Sequence, residues 1–132
     1  MKESILLVDD EKIFNFISTK VLEGMGVSDE IHAATNGNSA IELINNYFSG
    51  TRPIPRLILI DLNMPVMDGF AFIEAFQRLP IANKEKAVLA VLTSSSNQQD
   101  KDRAKALGIK HFLTKPLSEP DIRRVLEAAG IL

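Results

Sequence analysis

The 132-residue chain contains no cysteine. That removes a disulfide scaffold, a thiolate zinc site and a cysteine nucleophile together. It also lacks a charge excess. A formal net charge of -2 is too little of either sign for a broad electrostatic grip on nucleic acid. No run approaches the roughly 18 apolar residues of a membrane span. The start, MKESILLVDDEK, carries an apolar stretch far too short for a signal peptide. A G-x-x-x-x-G-K-[ST] phosphate loop is missing, as are repeats or composition shifts that would mark a linker. What remains is 45% hydrophobic, enough for a core and too much for disorder. The expectation is one soluble, cytoplasmic domain over residues 1–132, with neither a membrane nor a nucleic-acid partner.

Two patterns alternate along the chain. Short apolar runs at Ser4–Val8, Glu30–Ala34, Leu57–Leu62, Ala87–Thr93 and His111–Thr114 read as strands, with 57–62 apolar enough to be covered on both faces. Between and after them lie helical patterns. Ile13, Phe16, Ile17, Val21 and Leu22 form the first, closed by Gly24 and Gly26. Asn38–Phe48 is the second. A third presents Phe72, Ile73 and Phe76, with Asp68 placed to cap it. Gln98–Leu107 is polar and stopped by Gly108. The last carries Ile122, Val125, Leu126 and Ala129 on one stripe, with Ser118 and Asp121 as a variant capping box. Five βα units imply an α/β fold, a five-stranded parallel sheet with helices on both faces.

Open sheets of this kind place their sites beyond the carboxyl ends of the strands. Asp9 and Asp10 follow the first strand, Asp61 the third, Thr93 and Ser94 end the fourth, and Lys115 and Pro116 follow the fifth. Three carboxylates about 5 Å apart at an effective dielectric near 20 repel by on the order of 3 kcal/mol per pair. Lys115 or a hard divalent cation must offset that. Oxygen donors without His or Cys point to Mg²⁺ or Mn²⁺. A carboxylate beside a metal, an ammonium and a hydroxyl has the parts to accept a phosphoryl group. Each residue also has an ordinary use. Asp9 and Asp10 suit a helix-capping turn, Thr93 an ordinary strand, Phe112 a core position and Lys115 a surface. His32 and His111 read as half-buried packing residues.

Taken together, LLVDDE, LILIDLNMPVMDG, VLTSSS and FLTKPL resemble the response-regulator receiver domain of two-component signalling, of the stand-alone chemotaxis-regulator type. The likeness spans essentially the whole chain and implies the flavodoxin-like, CheY-like (βα)5 fold without an output domain. It implies Asp61 as phosphoacceptor, and Asp9, Asp10, Asp61 and the backbone carbonyl of Asn63 around Mg²⁺. Lys115 would pair with phosphoryl oxygens, Thr93 would be the switch hydroxyl and Phe112 the switch aromatic. The Lys115–Pro116 bond would be cis. The donor would be a histidine kinase or phosphotransfer protein, and a target protein would dock on the fourth helix, fifth strand and fifth helix. Ser94 departs from the family's usual Ala, and Ser95, two residues past Thr93, is small and uncharged and does not fix a dephosphorylation rate. A Mg²⁺-dependent phosphohydrolase of the haloacid-dehalogenase-like type would need an Asp where Asn63 stands. A pseudo-receiver would lack site residues that are present here.

Overall fold

The computed structural model describes residues 3–48, 52–94 and 97–132. The strands are β1 (Ile5–Val8), β2 (Ile31–Ala34), β3 (Leu57–Ile60), β4 (Val88–Thr93) and β5 (His111–Thr114). The helices are α1 (Lys12–Met25), α2 (Gly37–Tyr47), α3 (Gly69–Arg78), α4 (Gln98–Ala106) and α5 (Glu119–Ala128), with one short 3-10 turn at Lys84–Lys86. All neighbouring strands pair in parallel in the order β2-β1-β3-β4-β5. This is the expected five-stranded sheet, with the chain reversing its direction of travel across it after β2.

Every residue of β1 and β3 is buried, which is why both read as unbroken apolar runs. Alternate side chains serve opposite faces. Leu6, Val8, Ile58 and Ile60 join Ile44 of α2 and Phe72, Ile73 and Phe76 of α3. Ile5, Leu7, Leu57 and Leu59 join Leu22 of α1 and Ile122, Val125 and Leu126 of α5. The helices are punctuated as their sequences require. Gly26 ends α1 at φ 65°, a left-handed conformation that glycine adopts without steric penalty. Asp68 accepts from Ala71 N at 2.9 Å to cap α3. Ser118 accepts from Asp121 N at 3.4 Å to cap α5. The Asp121 carboxylate instead pairs with Arg124 at 2.9 Å.

One helix faces differently from its apolar pattern. Ile13 and Phe16 of α1 are 60% and 57% exposed, while Asn15, Ser18 and Leu22 are buried. The reason lies at the helix start, which faces polar backbone beyond the strand ends. Asn15 Nδ2 donates to Asp9 O at 3.0 Å and lies 3.5 Å from Ala34 O. A polar side chain that meets such partners outcompetes an apolar one there. Among the described residues, no helix is long and apolar enough to cross a membrane.

Candidate functional site

Pairing runs on just past the strands and aligns their ends. Val8 is in register with Ile60, and Asp61 N donates to Val8 O at 2.9 Å. Asp9 and Asp61 therefore leave adjacent strands side by side. Thr93 is in register with Thr114, and Lys115 N donates to Thr93 O at 3.0 Å. The fifth strand thus delivers Lys115 to the same edge. The Lys115–Pro116 peptide is cis.

Lys115 Nζ lies 2.7 Å from Asp9 Oδ2 and 3.0 Å from Asp61 Oδ2. These three side chains are only 4%, 6% and 5% exposed. Burial opposes the charge on Lys115, but its bonds to Asp9 and Asp61 outweigh that and raise its pKa above the ordinary lysine value. Asp9 also titrates above the usual carboxylate range. Burial raises it most and Asp61 adds to that, against the lowering pull of Lys115 and of the Glu11 amide. That amide donates to Asp9 Oδ1 at 2.9 Å, and Asn63 N donates to Asp61 Oδ1 at 3.2 Å.

One oxygen of the pocket has a single partner. Asp9 Oδ2 is buried 2.7 Å from the ammonium, and no other donor reaches it. Asp9, Asp10 and Asp61 each offer an oxygen within 4.8 Å of the others. A buried carboxylate oxygen whose single partner is an ammonium, among hard donors, suits an oxygen-seeking cation. The cluster can hold a metal ion. Asp10 is exposed, on the solvent side of the group, and Asn63 is exposed beside Asp61.

A tight loop carries the chain from Asp61 into α3. Gly69 N donates to Leu62 O at 3.0 Å. A Cβ at Gly69 would collide with Asp61 O and lie 2.7 Å from Leu62 Cα. Only glycine lets α3 begin this close to the strand. At the loop's outer turn Val66 is 97% exposed at φ 69°, an unusual conformation for a β-branched residue.

Thr93 is buried and Phe112 half-buried. Both line a small cavity of about 50 Å³ together with Leu62, Asn97 and Asp100. Ser94 is exposed, and Ser95 lies outside the described residues. His32 and His111 are half-buried; His32 Nε2 lies 2.9 Å from Glu30 Oε1, and its ring packs edge-on against Phe48.

The first turn of α1 adds three residues that the strand-end reading did not select. Glu11 Oε2 lies 3.6 Å from Lys115 Nζ. The Phe14 ring centroid lies 4.4 Å from the same ammonium. Asn15 fixes the helix to the backbone of Asp9. Glu11 was accessible from its place directly after Asp9 and Asp10. Phe14 had no such signal, because it falls between the apolar residues of the expected helical stripe.

The family model described as response regulator receiver domain matches residues 5–127. A probable methanogenesis regulatory protein, FilR2, of Methanothrix harundinacea is 30% identical over 124 residues, covering 93% of this chain and 78% of that protein. A probable chemotaxis protein CheY of Rhizobium etli is 28% identical over 127 residues, covering 96% and 92%. The crystal structure of a two-component response regulator from Cytophaga hutchinsonii superposes with a TM-score of 0.87 at 30% identity, covering 98% of each chain.

Proposed function

Because the chain belongs to the response regulator receiver domain family of two-component signalling, we propose that it is switched by transfer of a phosphoryl group to Asp61. The observation that carries this reading is the buried Lys115 ammonium held between Asp9 and Asp61. A carboxylate so placed is oriented, buried and next to a positive charge. Receiver domains pair with histidine kinases or phosphotransfer proteins; the donor proposed here is a phosphohistidine of such a protein. An Asp61 oxygen attacks phosphorus in line. The O–P bond forms as the N–P bond breaks, and the imidazole nitrogen leaves with the electron pair. Later attack by water releases inorganic phosphate and restores the carboxylate.

Asp9, Asp10, Asp61 and the Asn63 carbonyl are the proposed ligands of Mg²⁺, with Mn²⁺ as a substitute. When bound, the ion supplies positive charge for the phosphoryl oxygens and the crowded acids. Lys115 then exchanges its carboxylate partners for a phosphoryl oxygen. Thr93 donates its hydroxyl to another, and Phe112 repacks toward the cavity they share. The surface of α4, β5 and α5 is the proposed reporter of that change to a target protein. The modification adds roughly -1.5 to -2 charge, large against a formal net charge of -2.

Acetyl phosphate with Mg²⁺ tests the reading. One base-labile acyl phosphate should form at Asp61, located by mass spectrometry after trapping, and Asp61→Asn should take none. Absence of label with Mg²⁺ and donor both present overturns it. Steady turnover of many phosphomonoesters would replace it with a phosphohydrolase.

A further inference from the structure

The Lys115 ammonium has partners of two kinds. Asp9, Asp61 and Glu11 are acids at 2.7, 3.0 and 3.6 Å. Phe14 is an uncharged ring whose centroid lies 4.4 Å away, within the range at which a ring face attracts a cation. From this contrast we infer that Phe14 is a positioning residue for Lys115, the support that stays in place while the acids change partners. The inference rests on the reading of Asp61 as phosphoacceptor.

The acids cannot be that support. Asp61 becomes an acyl phosphate, and Asp9 belongs to the oxygen cluster that suits a cation. Glu11 is half-exposed and farther away. A third acid held tightly to the ammonium would also compete with phosphoryl oxygens for its N–H donors. A ring face attracts the cation by its quadrupole and takes no lone-pair acceptor role. The N–H groups therefore stay available to the incoming phosphoryl group.

The backbone that carries the ring is fixed. Phe14 N donates to Glu11 O at 3.1 Å in the first turn of α1. The next residue, Asn15, ties that turn to Asp9 O at 3.0 Å. The ring is thus carried by a turn anchored to the backbone of the pocket and not by any titrating side chain. The Lys115 side chain is 4% exposed, so the attraction acts in a largely desolvated setting, where it is strongest.

The experiment separates ring from bulk and chemistry from placement. Phe14→Leu keeps apolar volume without a ring face, Phe14→Met does the same with a different shape, and Phe14→Tyr keeps the face. Carbon-edited NMR of the Lys115 Cε methylene reads the geometry without any reaction. An upfield ring-current shift is expected in wild type and Phe14→Tyr, with and without beryllofluoride, and is lost in Phe14→Leu and Phe14→Met. Labelling of Asp61 by acetyl phosphate reads the consequence. It should slow roughly two- to thirtyfold in the Leu and Met variants, the range spanned by cation–π energies, and stay near wild type in the Tyr variant. Equal labelling of wild type and Phe14→Leu overturns the inference and leaves Asp61 as phosphoacceptor. So does a Tyr variant as slow as Leu, or a ring-current shift that disappears with beryllofluoride. A wild type that takes no label overturns the phosphoacceptor reading instead, and the ring-current comparison then decides the placement of Phe14 by itself.

Discussion

Asp9 is the residue at which the charges of the pocket balance least. Burial raises its pKa, so the folded state holds its proton more tightly than the unfolded chain does. By linkage, the stability associated with that proton is fully present below the unfolded value near 3.8 and is lost as pH rises through the folded value. Without metal, holding the Asp9 charge in the fold therefore costs stability once the pH exceeds the folded value. Asp9→Asn removes the titration and leaves Lys115 paired with Asp61 at 3.0 Å. The variant should melt higher than wild type at pH 7, by about 2–5 °C for each kcal/mol recovered. The difference should shrink as pH falls toward 4. Saturating Mg²⁺ should raise the wild-type melting temperature by mass action and the variant's by less. Thermal melts at both pH values, with and without Mg²⁺, check all of this. A lower melting temperature for Asp9→Asn at pH 7 would contradict it.

At the scale of elements, the loop between β3 and α3 sets where Asp61 points. Gly69→Ala forces a methyl against Asp61 O and Leu62 Cα, both backbone atoms that cannot rotate away. Overpacking of this sort costs about 1–3 kcal/mol, and its relief must move either the start of α3 or the end of β3. The expected outcome is a lower melting temperature together with slower labelling of Asp61, measured on the same preparation. A variant that loses stability but labels at the wild-type rate would show that the loop absorbs the methyl without disturbing the carboxylate. The strands that carry the pocket were legible in the sequence because β1 and β3 are buried on both faces and end on acids. Helix α1 was less so. Its apolar residues satisfy a helical period, but the period alone does not say which stripe faces inward. Hydrogen bonds from Asn15 decided that, turning Ile13 and Phe16 outward and bringing Phe14 to Lys115. Such partners come from residues distant in sequence, such as Ala34, and no local pattern records them.

Across the whole molecule, the proposed path from the pocket to the reporting surface runs through Thr93 and Phe112, which line one small cavity. A hydrogen bond from a hydroxyl to a charged group is worth about 1.5–3 kcal/mol. That suffices to shift a two-state equilibrium roughly ten- to a hundredfold. Removing the hydroxyl should leave labelling of Asp61 largely intact while uncoupling it from Phe112. NMR of wild type and Thr93→Ala, each with and without beryllofluoride, provides the comparison. Resonances of Phe112 and its neighbours should shift on addition only in wild type. Equal shifts in both proteins would remove Thr93 from the path.

The strand order has a consequence for the history of each molecule during its synthesis. The pocket gathers residues from β1, β3 and β5, and its two buried carboxylates are made long before their counter-charge. Lys115 follows Asp61 by 54 positions, so at 5–20 residues per second a growing chain waits roughly 3–11 s between them. During that interval β1 and β3 can pair, but their acidic ends repel with no ammonium to hold them. A ribosome paused before Lys115 would hold β1 and β3 with their acidic ends uncompensated, and the face of the sheet that Ile122, Val125 and Leu126 of α5 cover would still be open.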